Sequence, residues 1–138
     1  MNIGLGSRRR TILLIDADSH ARATLRLALE GAGFSVGEAA NDQEGERTAL
    51  AVRPDAIVAE LMSDQAHFGM SIGERLIAHG GTIPCFIVSN AGEALMGAVG
   101  FHEMGISGVF LKPVDPAVVI QALRTRLGSG PRIAEPHA

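Results

Sequence analysis

The stretch PDAIVAELMSD, residues 54–64, decides how the rest of the chain is read. A proline opens it, the apolar run Ala56 to Ala59 follows, and Glu60 then meets a polar loop. So short an apolar run without polar alternation marks a strand covered on both faces, as in a parallel sheet. The carboxylate that ends it is a working group, a replacement for one, or the first wet residue after the strand.

The same pattern recurs on either side. After a Gly-rich leader over residues 1–10, TILLI (Thr11 to Ile15) is a β-branched apolar run followed at once by acidic residues, and it predicts the first strand. From Ser19 the period becomes helical: Ser19 can cap, Leu25, Ala28, Leu29 and Ala32 share one stripe, and Gly33 ends the helix. FSVGEA (Phe34 to Ala39) predicts a second strand, and Asp42 to Val52, with Leu50 and several alanines, a second helix stopped by Pro54. After the third strand, Ala56 to Ala59, a third helix is expected from about Met70 to His79 and a fourth strand from Pro84 to Val88. A fourth helix (about Ala91 to Met104), a fifth strand (Gly108 to Leu111) and a fifth helix (Asp115 to Leu127) complete the series. Asp115 and Pro116 form a cap and first-turn pair, and Val119, Leu123 and Leu127 supply the buried stripe. Five strand-helix units predict an α/β architecture, a doubly wound parallel sheet between two helical layers. GSGPRIAEPHA, residues 128–138, has no periodicity and is expected to be a loose end or truncated linker, leaving one domain over residues 11–127.

The totals fit that picture. A chain of 138 residues suffices for one domain with a real core. The lone cysteine, Cys85, sits in an apolar run as core filler, so no disulfide framework or Cys metal pattern exists and a reducing cytosol is the expected home. No apolar stretch nears the ~20 residues of a membrane span, and no signal-peptide core opens the chain, so a soluble cytoplasmic protein is expected. With a net charge of −3 and one basic run, Arg8 to Arg10, neither a nucleic-acid face nor a membrane contact is expected. The histidines, His20, His67, His79, His102 and His137, show no metal-ligand spacing.

In open parallel sheets function collects at the carboxyl ends of strands. Here those ends carry Asp16, Ala17 and Asp18 after strand one, Glu60 after strand three, Ser89 and Asn90 after strand four, and Lys112 before Pro113 after strand five. Carboxylates, a hydroxyl and a lysine on one rim suit a phosphate and a hard cation.

The pieces ILLIDAD, LEGAGF, PDAIVAELM, IVSN and GISGVFLKPV, in this order and spacing between Thr11 and Leu127, resemble the receiver domain of bacterial two-component response regulators. The resemblance implies a flavodoxin-like (CheY-like) three-layer sandwich with sheet order 2-1-3-4-5 and a cis bond between Lys112 and Pro113. It implies a phosphorelay in which an aspartate ending strand three takes a phosphoryl group from a histidine kinase. Two acidic residues after strand one would help bind Mg²⁺, a Ser or Thr after strand four and a Lys after strand five would contact the phosphoryl group, and an aromatic near strand five would report the change.

On that pattern Asp16, Ser89 and Lys112 keep their types, and three positions depart. Ala17 stands at the second acidic position, Glu60 at the phosphoacceptor position, and Val109 at the switch aromatic, with Phe110 displaced by one onto the opposite strand face. The loop after Glu60 lacks the usual Met-Pro and reaches Gly69 one residue late. With Asp16 as the remaining metal ligand, Mg²⁺ is expected to bind weakly or not at all, no cofactor is required, and Mg²⁺-dependent phosphorylation at Glu60 is expected to be impaired. Two readings of Glu60 stay open: it reaches toward Lys112 and Ser89 in the place of phosphate, or it only pairs with Lys112.

The expected function is that of a signalling module, not an enzyme, acting by contact with a histidine kinase or an output protein. One alternative is a receiver that accepts phosphate on Glu60 or a nearby aspartate such as Asp64. Another is a flavodoxin-like small-molecule binder, although no phosphate-cradling glycine loop follows strand one. The fourth helix offers Leu95, Met96, Val99, Phe101 and Met104, more apolar positions than one stripe requires, and these are expected to form a partner surface. In the family the face of helix four, strand five and helix five is the usual dimer surface, so a homodimer there is the matching expectation.

Overall fold

Strands alternate with helices as their side-chain periods dictate. In the computed structural model residues 7–60, 83–90, 106–128 and 132–133 are described. They form β1 (Thr11–Ile15), α1 (Ser19–Gly31), β2 (Ser35–Ala39), α2 (Asp42–Val52), β3 (Ala56–Glu60), β4 (Cys85–Ser89), β5 (Gly108–Leu111) and α3 (Pro116–Leu127). The five strands make one parallel sheet in the order β2-β1-β3-β4-β5, the order that the resemblance implied. The expected third and fourth helices, Asp64, Gly69, and the partner surface of Leu95, Met96, Val99, Phe101 and Met104 lie outside the described residues.

Alternation along each strand builds a core on both sides of the sheet. Ile12, Leu14, Ala56, Val58, Phe86, Val88 and Phe110 pack with Leu29 of α1 and with Val119 and Leu123 of α3. Leu13, Ile15, Ile57, Ala59, Cys85 and Ile87 pack on the other face with Ala49 of α2. β1, β3 and β4 therefore read as unbroken apolar runs, because neither face meets water.

Several local expectations need correction. Asp18, not Ser19, caps α1: its Oδ1 accepts from the backbone N–H groups of His20 at 2.9 Å and Ala21 at 3.2 Å. A carboxylate suits the positive end of the helix dipole, so Ser19 becomes the first helical residue. Phe34 belongs to the exit of α1, where its N–H donates to the Leu29 carbonyl, and the strand starts one residue later. Gly33, at φ 101, makes the left-handed turn between them, a conformation costly for a residue with a Cβ. In α2 the buried residues are Gly45 and Ala49, whereas Leu50 is 50% exposed, one helical step away from the sheet. β3 includes Glu60, which pairs with Val88, and β4 runs Cys85–Ser89, one residue later than Pro84 to Val88. α3 follows expectation, with Asp115 capping through Ala117 N–H, Pro116 in the first turn, and Val119 and Leu123 fully buried. Finally, leader and tail meet: Ser7–Arg8 pairs antiparallel with Arg132–Ile133, a contact that the aperiodic tail did not announce.

Burial sets a clear contrast between two leucines. Leu123→Ala is expected to lower unfolding free energy by about 2–5 kcal/mol, and Leu50→Ala by no more than about 0.5 kcal/mol. Urea midpoints for the two variants check this, and similar losses would contradict the described packing.

Candidate functional site

The alternation that builds the core also selects the site. Asp16 continues the side of β1 occupied by Ile12 and Leu14, Glu60 that of Val58, and Lys112 that of Phe110, so all three emerge on the α1/α3 side where strands run out. Ser89 continues the Cys85 and Ile87 side instead. It is fully buried, and its Oγ donates to the Asn90 carbonyl at 3.0 Å.

Glu60 is the hub. The Lys112 ammonium donates to its Oε2 at 2.5 Å, the Asp16 carboxyl hydrogen-bonds to it, and the backbone N–H of Ala17 donates to it as well. Ala17 thus contributes an amide where the family pattern has a carboxylate. Asp18 faces elsewhere, since its Oδ1 caps α1 while its own N–H donates to Asp16 Oδ1 at 2.8 Å. Lys112 is the only lysine in the chain, and its peptide bond to Pro113 is cis.

The loop that carries Asp16 is held from three directions. Its N–H donates to the Ala39 carbonyl at 3.0 Å, its carbonyl accepts from Arg22 Nη1, and its carboxylate takes the Asp18 N–H. Arg22 is itself fixed by Glu38 at 2.9 Å, and Glu38 also binds Arg26, which reaches Glu30. This ladder joins α1 to the edge strand β2, and no spacing rule in the sequence signals it.

Charges at the hub move in opposite directions. Burial pushes the Asp16 carboxyl up, the Asp18 N–H opposes it, and the neighbouring Glu60 raises it further, to about 6. Burial also pushes Glu60 up, but Lys112, the Asp16 hydrogen bond and the Ala17 N–H outweigh it, so Glu60 lies below its ordinary value. Asp18 lies low because two helical N–H groups hold its charge. Burial drives the Cys85 thiol up to about 12, which suits an inert core residue.

A cavity of about 340 Å³ opens beside the hub, lined by Asp16, Asp18, Glu60 and Lys112 and by the apolar Leu25, Val88 and Val114. Ser89 does not reach its wall. Among the described residues no group of three His, Cys, Asp or Glu side chains stands together as a metal site. Val109, at the switch position, is exposed beside Leu111 and Val118, while Phe110 is buried and stacks on Phe86 with centroids 5.4 Å apart. The displaced aromatic is therefore a core residue.

Comparison with known proteins finds a family model described as the response regulator receiver domain, matching residues 12–124. The transcriptional regulatory protein SrrA of Staphylococcus aureus is 29% identical over 131 residues, covering 92% of this chain and 53% of SrrA. The chain thus spans about half the length of the curated relatives it matches. Among solved structures, a response regulator receiver domain protein from Clostridium thermocellum has TM-score 0.75 at 22% identity, covering 84% of this chain and 92% of that one. A CheY-like receiver domain protein from Methanospirillum hungatei has TM-score 0.76 at 20% identity, covering 86% and 94%.

The opposed shifts give a signed pH dependence. Asp16, raised from 3.8 to about 6, holds its proton longer when folded, so its contribution is fully present below 3.8 and is lost as pH rises through about 6. Glu60, lowered, contributes above its ordinary 4.5 and loses that as pH falls. Asp16→Asn keeps an acceptor for Asp18 but removes the titration. In chelator-treated buffer its unfolding free energy is expected to gain on the wild type as pH rises from 3.8 towards about 6, then to run parallel. A constant difference across the range would contradict the assignment.

Proposed function

The chain belongs to the response regulator receiver family, and from that premise we propose that its acceptor site is held closed by an internal ion pair and that it signals by protein contact. Receivers are signalling modules of two-component systems, and the family match extends through both ends of the sheet. The observation that carries the finer reading is the occupancy of Glu60. Its carboxylate already accepts from an ammonium, a carboxyl and an amide. A nucleophile needs a free lone pair aligned with the incoming phosphorus, and a displacement of about 1 Å costs on the order of a hundredfold in rate.

The Mg²⁺ that the family implies does not fit this donor set. Mg²⁺ asks for octahedral oxygen ligands, which among the described residues would come from Asp16 and Glu60. Ala17 adds none, Asp18 is committed to its helix, and the Lys112 ammonium already sits against Glu60. No phosphoryl transfer through the metal is therefore assigned to this chain.

Of the two ways to read Glu60, the fixed pair with Lys112 is favoured over imitation of phosphate. Ser89, the other group that would grip a phosphoryl oxygen, continues the opposite side of its strand, and Val109 offers no aromatic to rearrange. The working partners we infer are a histidine kinase or an output protein, in a cytoplasmic setting. No described helix is long and apolar enough to cross a membrane.

Intact mass after incubation with acetyl phosphate and Mg²⁺ tests the proposal. The wild type is expected to stay unmodified, and Ala17→Asp/Glu60→Asp to gain one phosphoryl group, with a rate on the order of a hundredfold higher. Stable phosphorylation of the wild type, whether on Glu60 or on a neighbour such as Asp64, would sink the closed-site reading and favour the acceptor alternative.

A further inference from the structure

The peptide unit between Asp16 and Ala17 is gripped at both of its ends. A trans peptide is planar, so its carbonyl and its N–H point in opposite directions and cannot turn separately. Here the carbonyl, on Asp16, accepts from Arg22 Nη1, and the N–H, on Ala17, donates to Glu60. The bond is trans, since among the described residues the cis peptide is that of Lys112 and Pro113. Turning the plane away from Arg22 therefore turns its N–H away from Glu60.

The other two holds on this loop leave that plane free to rotate. The Asp16 N–H, bound to the Ala39 carbonyl at 3.0 Å, belongs to the preceding peptide. The bond from the Asp18 N–H to Asp16 Oδ1, at 2.8 Å, closes within the loop and moves with it. Arg22, by contrast, brings an anchor from outside the loop. Its side chain is only 15% exposed, and its Nε donates to Glu38 Oε1 at 2.9 Å. The second oxygen of Glu38 faces Arg26 Nε, also at 2.9 Å. A guanidinium is a rigid planar fork, so fixing Nε against Glu38 also fixes where Nη1 points.

We infer that Arg22 is a positioning residue of the hub: anchored by Glu38, it orients the Asp16–Ala17 peptide so that the Ala17 amide stays on Glu60. A cation on the carbonyl and an anion on the N–H polarise the peptide in the same sense, which strengthens both of its hydrogen bonds. Glu38, on the edge strand β2, thereby acts on Glu60 without touching it. The inference deepens the closed-site reading and rests on it, since it names what keeps the amide among the donors that occupy Glu60.

NMR of the full chain, without a phosphodonor, tests the role of Arg22. In Arg22→Met the Ala17 amide proton is expected to move upfield as its carboxylate acceptor is lost, and to exchange with water at least about tenfold faster. The amides of Leu14 and Val58, inside the sheet, are expected to keep their wild-type rates. A residue that merely stabilised the fold would quicken those core amides too and leave the Ala17 shift in place. Arg22→Lys, which keeps a cationic donor, is expected to fall between wild type and Arg22→Met. Glu38→Gln, which keeps Arg22 but weakens its anchor, is expected to move Ala17 in the same direction, and it carries the test where Arg22→Met fails to fold. An unchanged Ala17 amide in either Arg22→Met or Glu38→Gln, equal acceleration at Ala17, Leu14 and Val58, or a Lys variant no closer to wild type than the Met variant would overturn the inference. Phosphorylation of the wild type is a separate result: it removes the closed site, whereas the amide signals report the Arg22 contact whether or not that reading stands.

Discussion

A parallel sheet covered on both faces has no wet side, and this constraint governs the whole molecule. Each of β1, β3 and β4 buries residues of both alternations, so a charge is tolerated only where a strand runs out. The right-handed crossovers of a doubly wound sheet bring every such end to one edge. Asp16, Glu60 and Lys112 meet there because their strands are neighbours or near neighbours and because each lies on the α1/α3 alternation. The site is thus a product of parity as much as of sequence.

Magnitudes show what holds the hub together. Lys112 is 41% exposed on its side chain, so the ion pair alone contributes no more than about 1 kcal/mol. Hydrogen bonds to a charged group contribute roughly 1.5–3 kcal/mol each when shielded from water. The half-buried Glu60 is held chiefly by its combined donors rather than by one attraction, and the Ala17 amide is part of that hold. Two carboxylates beside one ammonium still leave an excess of negative charge, which Asp16 relieves by keeping its proton to about pH 6.

Much of this was legible in the residues, and what was not has identifiable causes. The change from short apolar runs to a period of about 3.6 located the five strands of the parallel sheet and the three described helices within a residue or two, but not the ribbon of Ser7–Arg8 with Arg132–Ile133. Boundaries slipped where two residues compete for one role: Asp18 and Ser19 are both good caps, and the carboxylate won. Leu50 did not reveal which side of the short α2 faces the sheet, because hydrophobicity alone does not specify it; the buried Gly45 and Ala49 do. Sheet order came from family resemblance, since apolar runs carry no information about which neighbour they pair with. At the site, the residue types of Asp16, Glu60 and Lys112 were enough to group them. Ser89 was grouped with them by its position at a strand end, and only counting along Cys85 and Ile87 shows its opposite parity. The Ala17 amide and the Arg22–Glu38 ladder were invisible, because a backbone donor has no letter and a contact between a helix and an edge strand has no spacing.

One consequence belongs to Lys112 as a chemical handle. Because it is the only lysine, any reagent or enzyme that acylates side-chain amines can modify this protein at one place, and that place is the hub. An acyl group there would erase the positive charge and leave Glu60 and Asp16 facing each other without the counter-ion that Lys112 supplies. Apart from its amino end, the chain thus has a single amine through which the electrostatics of its site can be edited covalently.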